Sequence, residues 1–354
     1  MKVAVGLSGG VDSSVAAMLL KEAGHEVVGV TMKLWKGTFR GGPRDACFGP
    51  GEAEDIERAH ALAADLGIEY RTIDCADAYE RSIVGAFRAT SLRGETPNPC
   101  VLCNAALKFG LLPRLAREAG LSFDRFATGH YARIVKVGGR LAVRRAADEK
   151  KDQSYFLYRL SQEQLAMSMF PLGETTKAEV RRLAAGLGLA AADKPDSQDF
   201  YSGDRDELIG EEPREGEIVD LSGRVLGRHC GFWNFTVGQR KGLGAFGPKP
   251  LYVVRIDACR NRIVLGTREE AVSREFRVDD MRWMAQPQTE DAIEAFVKIR
   301  STGAPLGPVT LRNGLCTASG EGLFGVAPGQ SAVFYDEKGV ILCGGVIQKR
   351  EDVK

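Results

Sequence analysis

The stretch that most limits what this chain can fold into is its beginning, MKVAVGLSGGVDSSVAAMLLKEAG. Residues 2–7 alternate and then turn apolar, as a buried parallel strand does. The loop SGG follows, and then VAAMLLKE, a helical pattern that Asp12 or Ser13 can cap and Gly24 can stop. A buried strand that passes through two glycines straight into a helix opens a βαβ unit. The pattern then repeats. HEVVGVTM (25–32), IEYRTIDC (68–75) and FDRFATGHYA (123–132) read as strands. AEDIERAHALAADLG (53–67) and ALKFGLLPRLAREAG (106–120), the latter disturbed by Pro113, read as helices. Strands alternating with helices predict a parallel α/β sheet with right-handed crossovers. Residues 33–52 are rich in Gly and Pro, carry little periodicity and read as a mobile loop.

The pattern changes after Asp206. GEIVDLSGRVLGRH reads as a hairpin around Ser222-Gly223, and LYVVRIDACRNRIVLG as another turning near Arg260-Asn261. From Phe276 onward the alternation of EAFVKIRS, GPVTLRN and SAVFYDEKGVILCGGVIQ predicts a small antiparallel barrel or sandwich. The expected division is 1–205, 206–272 and 273–354. A length of 354 residues, 44% of them hydrophobic, suits two or three domains with sizeable cores. With 48 basic and 47 acidic residues the chain has no overall field, yet a local basic surface remains open to it. No stretch of about 18 apolar residues suggests a membrane span, and the N-terminus enters a strand without a leader pattern, so a cytoplasmic protein is expected. Eight cysteines in such a chain are not a disulfide framework; most read as small buried hydrophobes. Cys100 and Cys103, in TPNPCVLCN, have a spacing with chemical meaning.

Two glycines in SGGVDS let the backbone come close to a ligand, the helix start favours an anion, and Ser8, Ser13 and Ser14 add donors. The lysine and spacing of GxxxxGK[ST] are absent. The hexapeptide resembles the PP-loop of ATP pyrophosphatases. That resemblance implies cleavage of ATP between its α and β phosphates, transfer of AMP to a substrate oxygen, and service of Asp12 at the magnesium–pyrophosphate end. A nucleophile then displaces AMP.

TPNPCVLCN, ATGHYAR, KKDQSYFLY and FTVGQRKGLG, in that order after SGGVDSS, resemble the tRNA-specific 2-thiouridylases over nearly the whole chain. The resemblance implies ATP-dependent replacement of the 2-oxygen of the wobble uridine, position 34, by sulfur. It implies a PP-loop domain, a small central domain and a C-terminal β-barrel. Carried over by residue, Gly6, Leu7, Ser8, Gly9, Gly10, Val11, Asp12 and Ser13 hold ATP with Mg2+, Met32 packs near the adenine, and Gly129 lines the nucleotide site. Asn98, Pro99 and Cys100 face a base flipped from its stack. Cys103 corresponds to the first catalytic cysteine. Lys151, Asp152 and Gln153, and Arg300 with Ser301, match tRNA contacts; His130 and Gln330 match positions that bear on discrimination of the nucleotide. A solvated Lys151, a structural His130 and a plain basic turn at Gln239-Arg240-Lys241 are the competing readings.

The chain departs from the family pattern twice. Cys100 stands where Asp is usual, and Tyr201, in KPDSQDFYSGD, stands where a second, persulfide-carrying cysteine is usual. Tyr201 cannot carry sulfur. Cys100 and Cys103 instead form a CxxC, and Cys47 in ACFGPG adds a third thiol; three thiolates can hold three irons of a [4Fe-4S] cluster whose fourth iron passes sulfide. A persulfide on Cys100 resolved by Cys103, a redox disulfide and a zinc site remain open. The partners implied are tRNA and a sulfur donor. Another AMP-forming PP-loop ligase, and a tRNA-binding protein without catalysis, are the alternative functions.

Overall fold

Apolar residues at both faces of the opening strand place it at the centre of a sheet. The computed structural model describes residues 1–42, 46–186, 199–244, 246 and 249–349. Strand β1 (Lys2–Gly6) has Val3, Ala4 and Val5 fully buried and leads into helix α1 (Val11–Glu22). The helix starts just before the predicted Asp12 or Ser13, with Gly10 as its N-cap and no side-chain cap; Gly24 follows its end at φ +79°. Strand β2 is Glu26–Lys33, β3 Ala46–Phe48, helix α2 Glu52–Asp65, β4 Glu69–Asp74 and β5 Arg125–Thr128. Beyond a hairpin of β6 (Ala132–Val137) and β7 (Arg140–Arg145) comes the short β8 (Ser168–Met169). The sheet has five parallel strands in the order β4-β2-β1-β5-β8. The order reverses beside β1, where α/β sheets bind ligands.

Two elements differ from the sequence reading. Strand β5 ends at Thr128, because Gly129 turns against the start of α1: a Cβ there would lie 2.7 Å from Ser13 N. The helix expected over 106–120 begins earlier, as the short helix Pro99–Leu102, a π-helical stretch Cys103–Leu111 and an α-helix Leu112–Glu118 with Pro113 in its first turn. Pro113 lacks an N–H, so the wider turn ahead of it takes up the change of register. Gln164 donates to the Ala105 carbonyl at 2.8 Å.

Segment 33–52 packs where it is described. Phe48 is buried, Trp35 and Phe39 lie 4.9 and 5.8 Å from it, and β3 pairs in parallel with β9 (Asp199–Tyr201). Aromatic residues without periodicity form this layer, which a period search does not detect.

The two predicted hairpins are Glu215–Asp220 with Val225–Cys230, turning through Gly223 at φ +87°, and Tyr252–Asp257 with Arg262–Gly266, turning through Asn261 at φ 51°. A parallel pairing of Glu215–Asp220 with Arg262–Gly266 joins them into one four-stranded sheet. The last region is a closed antiparallel barrel of six strands, from Glu275–Trp283 to Ile341–Ile347. Closure removes the exposed edges that a sandwich would keep.

The motif KKDQSYFLY joins the barrel to the first domain. Asp152, expected among the tRNA contacts, has no exposed side-chain surface. Its carboxylate accepts from Ala146 N at 3.1 Å, Ser154 N at 3.2 Å and Ser154 Oγ at 3.0 Å. Arg145 Nε and the barrel's buried Lys298 Nζ stand 3.5 and 3.6 Å away. A carboxylate so enclosed meets cations of its own chain and holds the segment in place; it does not face a polyanion. Burial lowers the pKa of Lys298, and Asp152 opposes that shift. Asp152→Ala is expected to lower the free energy of unfolding in urea by about 3–5 kcal/mol, because it removes the carboxylate that meets the buried Lys298. An unchanged midpoint would return Asp152 to the surface role.

Candidate active site

The glycine loop is shaped by its own hydroxyls. Ser8 N donates to Ser13 Oγ at 3.2 Å, Ser13 Oγ donates to Gly10 O at 3.1 Å, and Ser14 Oγ donates to the same carbonyl at 2.9 Å. Leu7 N to Val30 O, and Thr31 Oγ1 to Leu7 O, both 2.8 Å, tie the loop to β2. Gly9 takes φ +68° and lies against α2, where a Cβ would come within 2.4 Å of Asp55 O. A side chain is therefore barred there both by conformation and by space.

This loop forms one wall of a cleft of about 320 Å³ at the carboxyl ends of β1, β2 and β5. Of the residues expected to hold the nucleotide, Gly6, Leu7, Ser8, Gly10, Val11, Asp12, Ser13, Met32 and Gly129 line it; Gly9 supports the loop from behind. Leu34, Ile56 and Leu112 give an apolar wall next to Met32, suited to a base. Glu52 closes the end of β2: its carboxylate accepts from Leu34 N at 2.7 Å and Trp35 N at 2.9 Å. Burial raises its pKa, and those two hydrogen bonds oppose the shift.

His130, Lys151 and Gln153, expected to meet tRNA, line the same cleft. His130 is buried between Phe109 and Phe170, and its Nδ1 lies 2.7 Å from Thr128 Oγ1. Burial first, then the charge of Lys108, holds it well below the usual histidine range, so it is neutral at neutral pH. Gln153 accepts from Tyr131 N at 2.9 Å through Oε1. Tyr131 in turn donates to Asp12 Oδ1 at 2.8 Å, and Lys177 Nζ lies 2.7 and 2.9 Å from the two Asp12 oxygens. The sequence reading singled out neither partner of Asp12. A usable signal was present in TTKAEVRRLA, which puts a cation on the first residue of a helix, where the dipole disfavours it.

The thiols lie beside this cleft. Asn98 caps the helix Pro99–Leu102 by accepting from Val101 N at 3.4 Å, which places Cys100 and Cys103 three residues apart on neighbouring turns. Asn98 Nδ2 donates to Tyr155 Oη at 3.3 Å and to Gln330 Oε1 at 3.5 Å. Gln330 also donates to the carbonyls of Pro97 and Thr96, at 3.1 and 3.4 Å. The barrel therefore sets the position of the TPNP segment. Cys100 and Cys103 are partly exposed, whereas Cys47 is exposed and lines the cleft itself. Burial pushes the Cys103 thiol up to about 11; Lys108 counteracts this, and Cys47 is near enough to add to it. The three thiols also surround Tyr79, whose pKa rises by burial first and then by their charges.

Among the described residues, no three His, Cys, Asp or Glu side chains converge as a metal-binding group. A single-ion site such as zinc thus has no ready ligand set, while Cys47, Cys100 and Cys103, the ligands expected for an iron–sulfur cluster, all lie near Tyr79. Cys100 and Cys103 lie on neighbouring helical turns, and Cys47 sits on strand β3. The expectation that most cysteines are buried is also corrected: Cys75, Cys316 and Cys343 are buried, but Cys47, Cys230 and Cys259 are exposed. Tyr201 is buried against Trp35, Phe39 and Phe48; its hydroxyl donates to Glu207 and accepts from Gly41 N at 3.2 Å. It secures β9 to segment 33–52. Residues 194–198 of its motif lie outside the described residues. Arg300 is exposed and Ser301 half-buried after the strand Ile293–Lys298; Arg240 and Lys241 are exposed beyond the turn that Gln239 builds.

A glycine loop between β1 and an uncapped helix, opening into a cleft at the topological switch of a parallel sheet, defines a nucleotide-binding α/β protein. Matching family models describe a tRNA methyl transferase HUP domain over residues 1–201, a tRNA methyl transferase PRC-barrel domain over 207–267 and an aminomethyltransferase beta-barrel domain over 273–347. The tRNA-specific 2-thiouridylase MnmA of Endomicrobium trichonymphae is 44% identical over 98% of this chain and 99% of its own length. That of Gloeothece citriformis (strain PCC 7424) is 43% identical over the same shares. The crystal structure of a 4-thiouridine synthetase–RNA complex with bound ATP overlaps 60% of this chain and 46% of its own, at 16% identity and a TM-score of 0.36. The chain belongs to the tRNA-specific 2-thiouridylase family. No helix of the described residues is long and apolar enough to cross a membrane.

Alkylation should separate the thiols. At pH 7.5 without substrates, Cys47 is expected to react before Cys103. Labelling of Cys103 should rise about tenfold per pH unit as its thiolate fraction grows toward its pKa. Peptide mass spectrometry reads both rates; a Cys103 rate that levels off below pH 9 would contradict the burial argument.

Proposed function

We propose that this protein uses ATP to replace the 2-oxygen of the wobble uridine, position 34, of tRNA by sulfur. The observation that carries this reading is the sharing of one cleft by the glycine loop and a thiol: Cys47 lines the same cleft as Ser8, Asp12 and Ser13, and Cys103 is close enough to be perturbed by it. A site that activates an oxygen thus adjoins a source of sulfur chemistry. The family models speak of methyl transfer; the thiols beside a loop suited to phosphates favour sulfur.

MgATP enters as substrate, with its phosphates on the loop and the start of α1 and its base against Met32. The uridine C2 oxygen attacks the α-phosphorus, pyrophosphate departs with the bonding electrons, and the N3 proton goes to solvent. Sulfur delivery is assigned to the CxxC; an iron–sulfur cluster on Cys47, Cys100 and Cys103 is the second reading, favoured by the nearness of all three thiols to Tyr79. The outer sulfur of a persulfide on Cys100 attacks C2 and AMP leaves. The Cys103 thiolate then attacks Cys100 Sγ, which leaves sulfur on the nucleoside and a Cys100–Cys103 disulfide. A persulfide donor loads Cys100, and a dithiol reductant reopens the disulfide. Asn98 and Pro99 present the base. Lys151, Arg300 and the exposed Arg240 and Lys241 meet phosphates. His130, held neutral, offers a hydrogen bond rather than a charge, and Gln330 acts through Asn98. The unit 1–205 performs activation and transfer, 206–272 contacts tRNA, and the barrel 273–354 sets the Asn98 loop.

The test is incubation with MgATP, total tRNA and a persulfide donor, followed by AMP assay and nucleoside mass spectrometry. AMP formation that requires tRNA, and 2-thiouridine in the digest, are expected. AMP formation driven by small amines would instead indicate a ligase, and tRNA binding without AMP a non-catalytic binder. Asp12→Ala should slow AMP formation by about 100-fold or more while tRNA affinity stays. Cys103→Ser should leave AMP formation and stop thiolation. Lys151→Ala should lower the salt dependence of tRNA binding by about one phosphate contact; an unchanged slope would remove Lys151 from the interface.

A further inference from the structure

We propose that Lys177 is a further catalytic residue of the adenylation step: it neutralises the departing pyrophosphate, and the nucleotide-free protein keeps it in reserve on Asp12. The inference rests on the functional reading above. Lys177 is 7% exposed, and its Nζ reaches both oxygens of Asp12 at 2.7 and 2.9 Å. Tyr131 Oη occupies the same carboxylate at 2.8 Å. Asp12 lies in the cleft wall, in the first turn of α1, where the amide dipoles draw an anion. A lysine beside it adds to that attraction only when the aspartate is otherwise engaged.

The placement of Lys177 is built. It is the first residue of the helix Lys177–Gly186, against the dipole's preference. Thr176 and Glu179 close a reciprocal cap around it: Thr176 N donates to Glu179 Oε2 at 2.7 Å, and Glu179 N to Thr176 Oγ1 at 3.3 Å. Lys177 N donates to Asp148 Oδ2 at 2.9 Å. The main chain is thus held, and the four-carbon stem has rotatable bonds through which its tip can be re-aimed. A pair needed only for packing could be replaced by apolar residues at little cost, and the neighbours Val11, Val15, Val180 and Ala184 are already apolar.

The exchange follows from charge. Magnesium arriving with ATP is the stronger partner for a carboxylate and takes Asp12. Lys177 is released toward the nearest anion, the β- and γ-phosphates. When the bond from the α-phosphorus to the bridging oxygen breaks, the electron pair stays on pyrophosphate, and Lys177 meets the charge that develops. No proton is transferred.

The experiment uses the full chain with Lys177→Met, Lys177→Arg, Asp12→Asn and the double Asp12→Asn/Lys177→Met. Without nucleotide, Mn2+ binding is followed by electron paramagnetic resonance. Lys177→Met should bind Mn2+ about tenfold more tightly than wild type, because Asp12 is freed of its cation, and both proteins carrying Asp12→Asn should lose that gain. In AMP formation, Lys177→Met should lower kcat by about 100-fold with KM for ATP little changed, and Lys177→Arg should restore part of it. An unchanged Mn2+ affinity, or a kcat near wild type, overturns the proposal. If Lys177→Met does not fold, Lys177→Gln, which removes the charge but keeps a polar tip for Asp12, takes its place in both the Mn2+ and the kcat comparison, with the same expected and overturning results. Wild type that makes no AMP with tRNA overturns the functional reading, whereas the Mn2+ comparison bears on the Asp12–Lys177 exchange alone.

Discussion

The buried carboxylate of Asp152 organises the structure around the cleft. It draws Arg145 of β7 and Lys298 of the barrel onto one point and takes the main-chain donors of Ala146 and Ser154. The next residue, Gln153, is thereby held where its backbone and side chain grip Tyr131. Tyr131 reaches Asp12 at the end of the glycine loop. One ion cluster therefore couples the position of the barrel to the geometry of the nucleotide loop. A buried carboxylate is costly unless it is fully met, and that cost makes this arrangement selective.

The barrel has a second hold on the site. Gln330 and Tyr155 fix Asn98, and Thr96 N donates to Pro328 O at 2.7 Å. The CxxC helix is thus set by an element more than two hundred residues away in sequence. Cys103 is enclosed enough to keep its proton at neutral pH, so its reactivity depends on what tRNA and ATP bring to the cleft. Tyr201, where a thiol was expected from the family, has become part of an aromatic layer with Trp35, Phe39 and Phe48. That layer carries Cys47 on β3 to the cleft, which relates the loss of one thiol to the placement of another.

Motifs that work through the backbone were legible in advance. The loop SGGVDS, the turns at Gly223 and Asn261 and the stop at Gly24 each act within a few residues, and local geometry decides them. Contacts between distant side chains were not. Lys151, Asp152 and Gln153 were read as tRNA contacts, yet Asp152 is buried. A charged residue in a polar run looks solvated until the opposite charges that enclose it, here from 145 and 298, are placed. How closely Cys47 approaches the CxxC depends on the path of β3, to which spacing gives no clue.

The sequence by itself determined the parallel sheet, the phosphate-suited loop at its first strand and the antiparallel character of the last third, because hydrophobic period and glycine conformation are properties of short segments. Only the tertiary structure decided that Asp12 faces Lys177 and Tyr131, that Asp152 is interior, that Gln330 holds Asn98, and that Cys47 rather than the CxxC lines the cleft. The pairs Asp12–Lys177, Asp12–Tyr131, Asn98–Gln330 and Asp152–Lys298 each join residues more than a hundred positions apart, and which of many charged and polar side chains meet across that distance is set by how the domains pack.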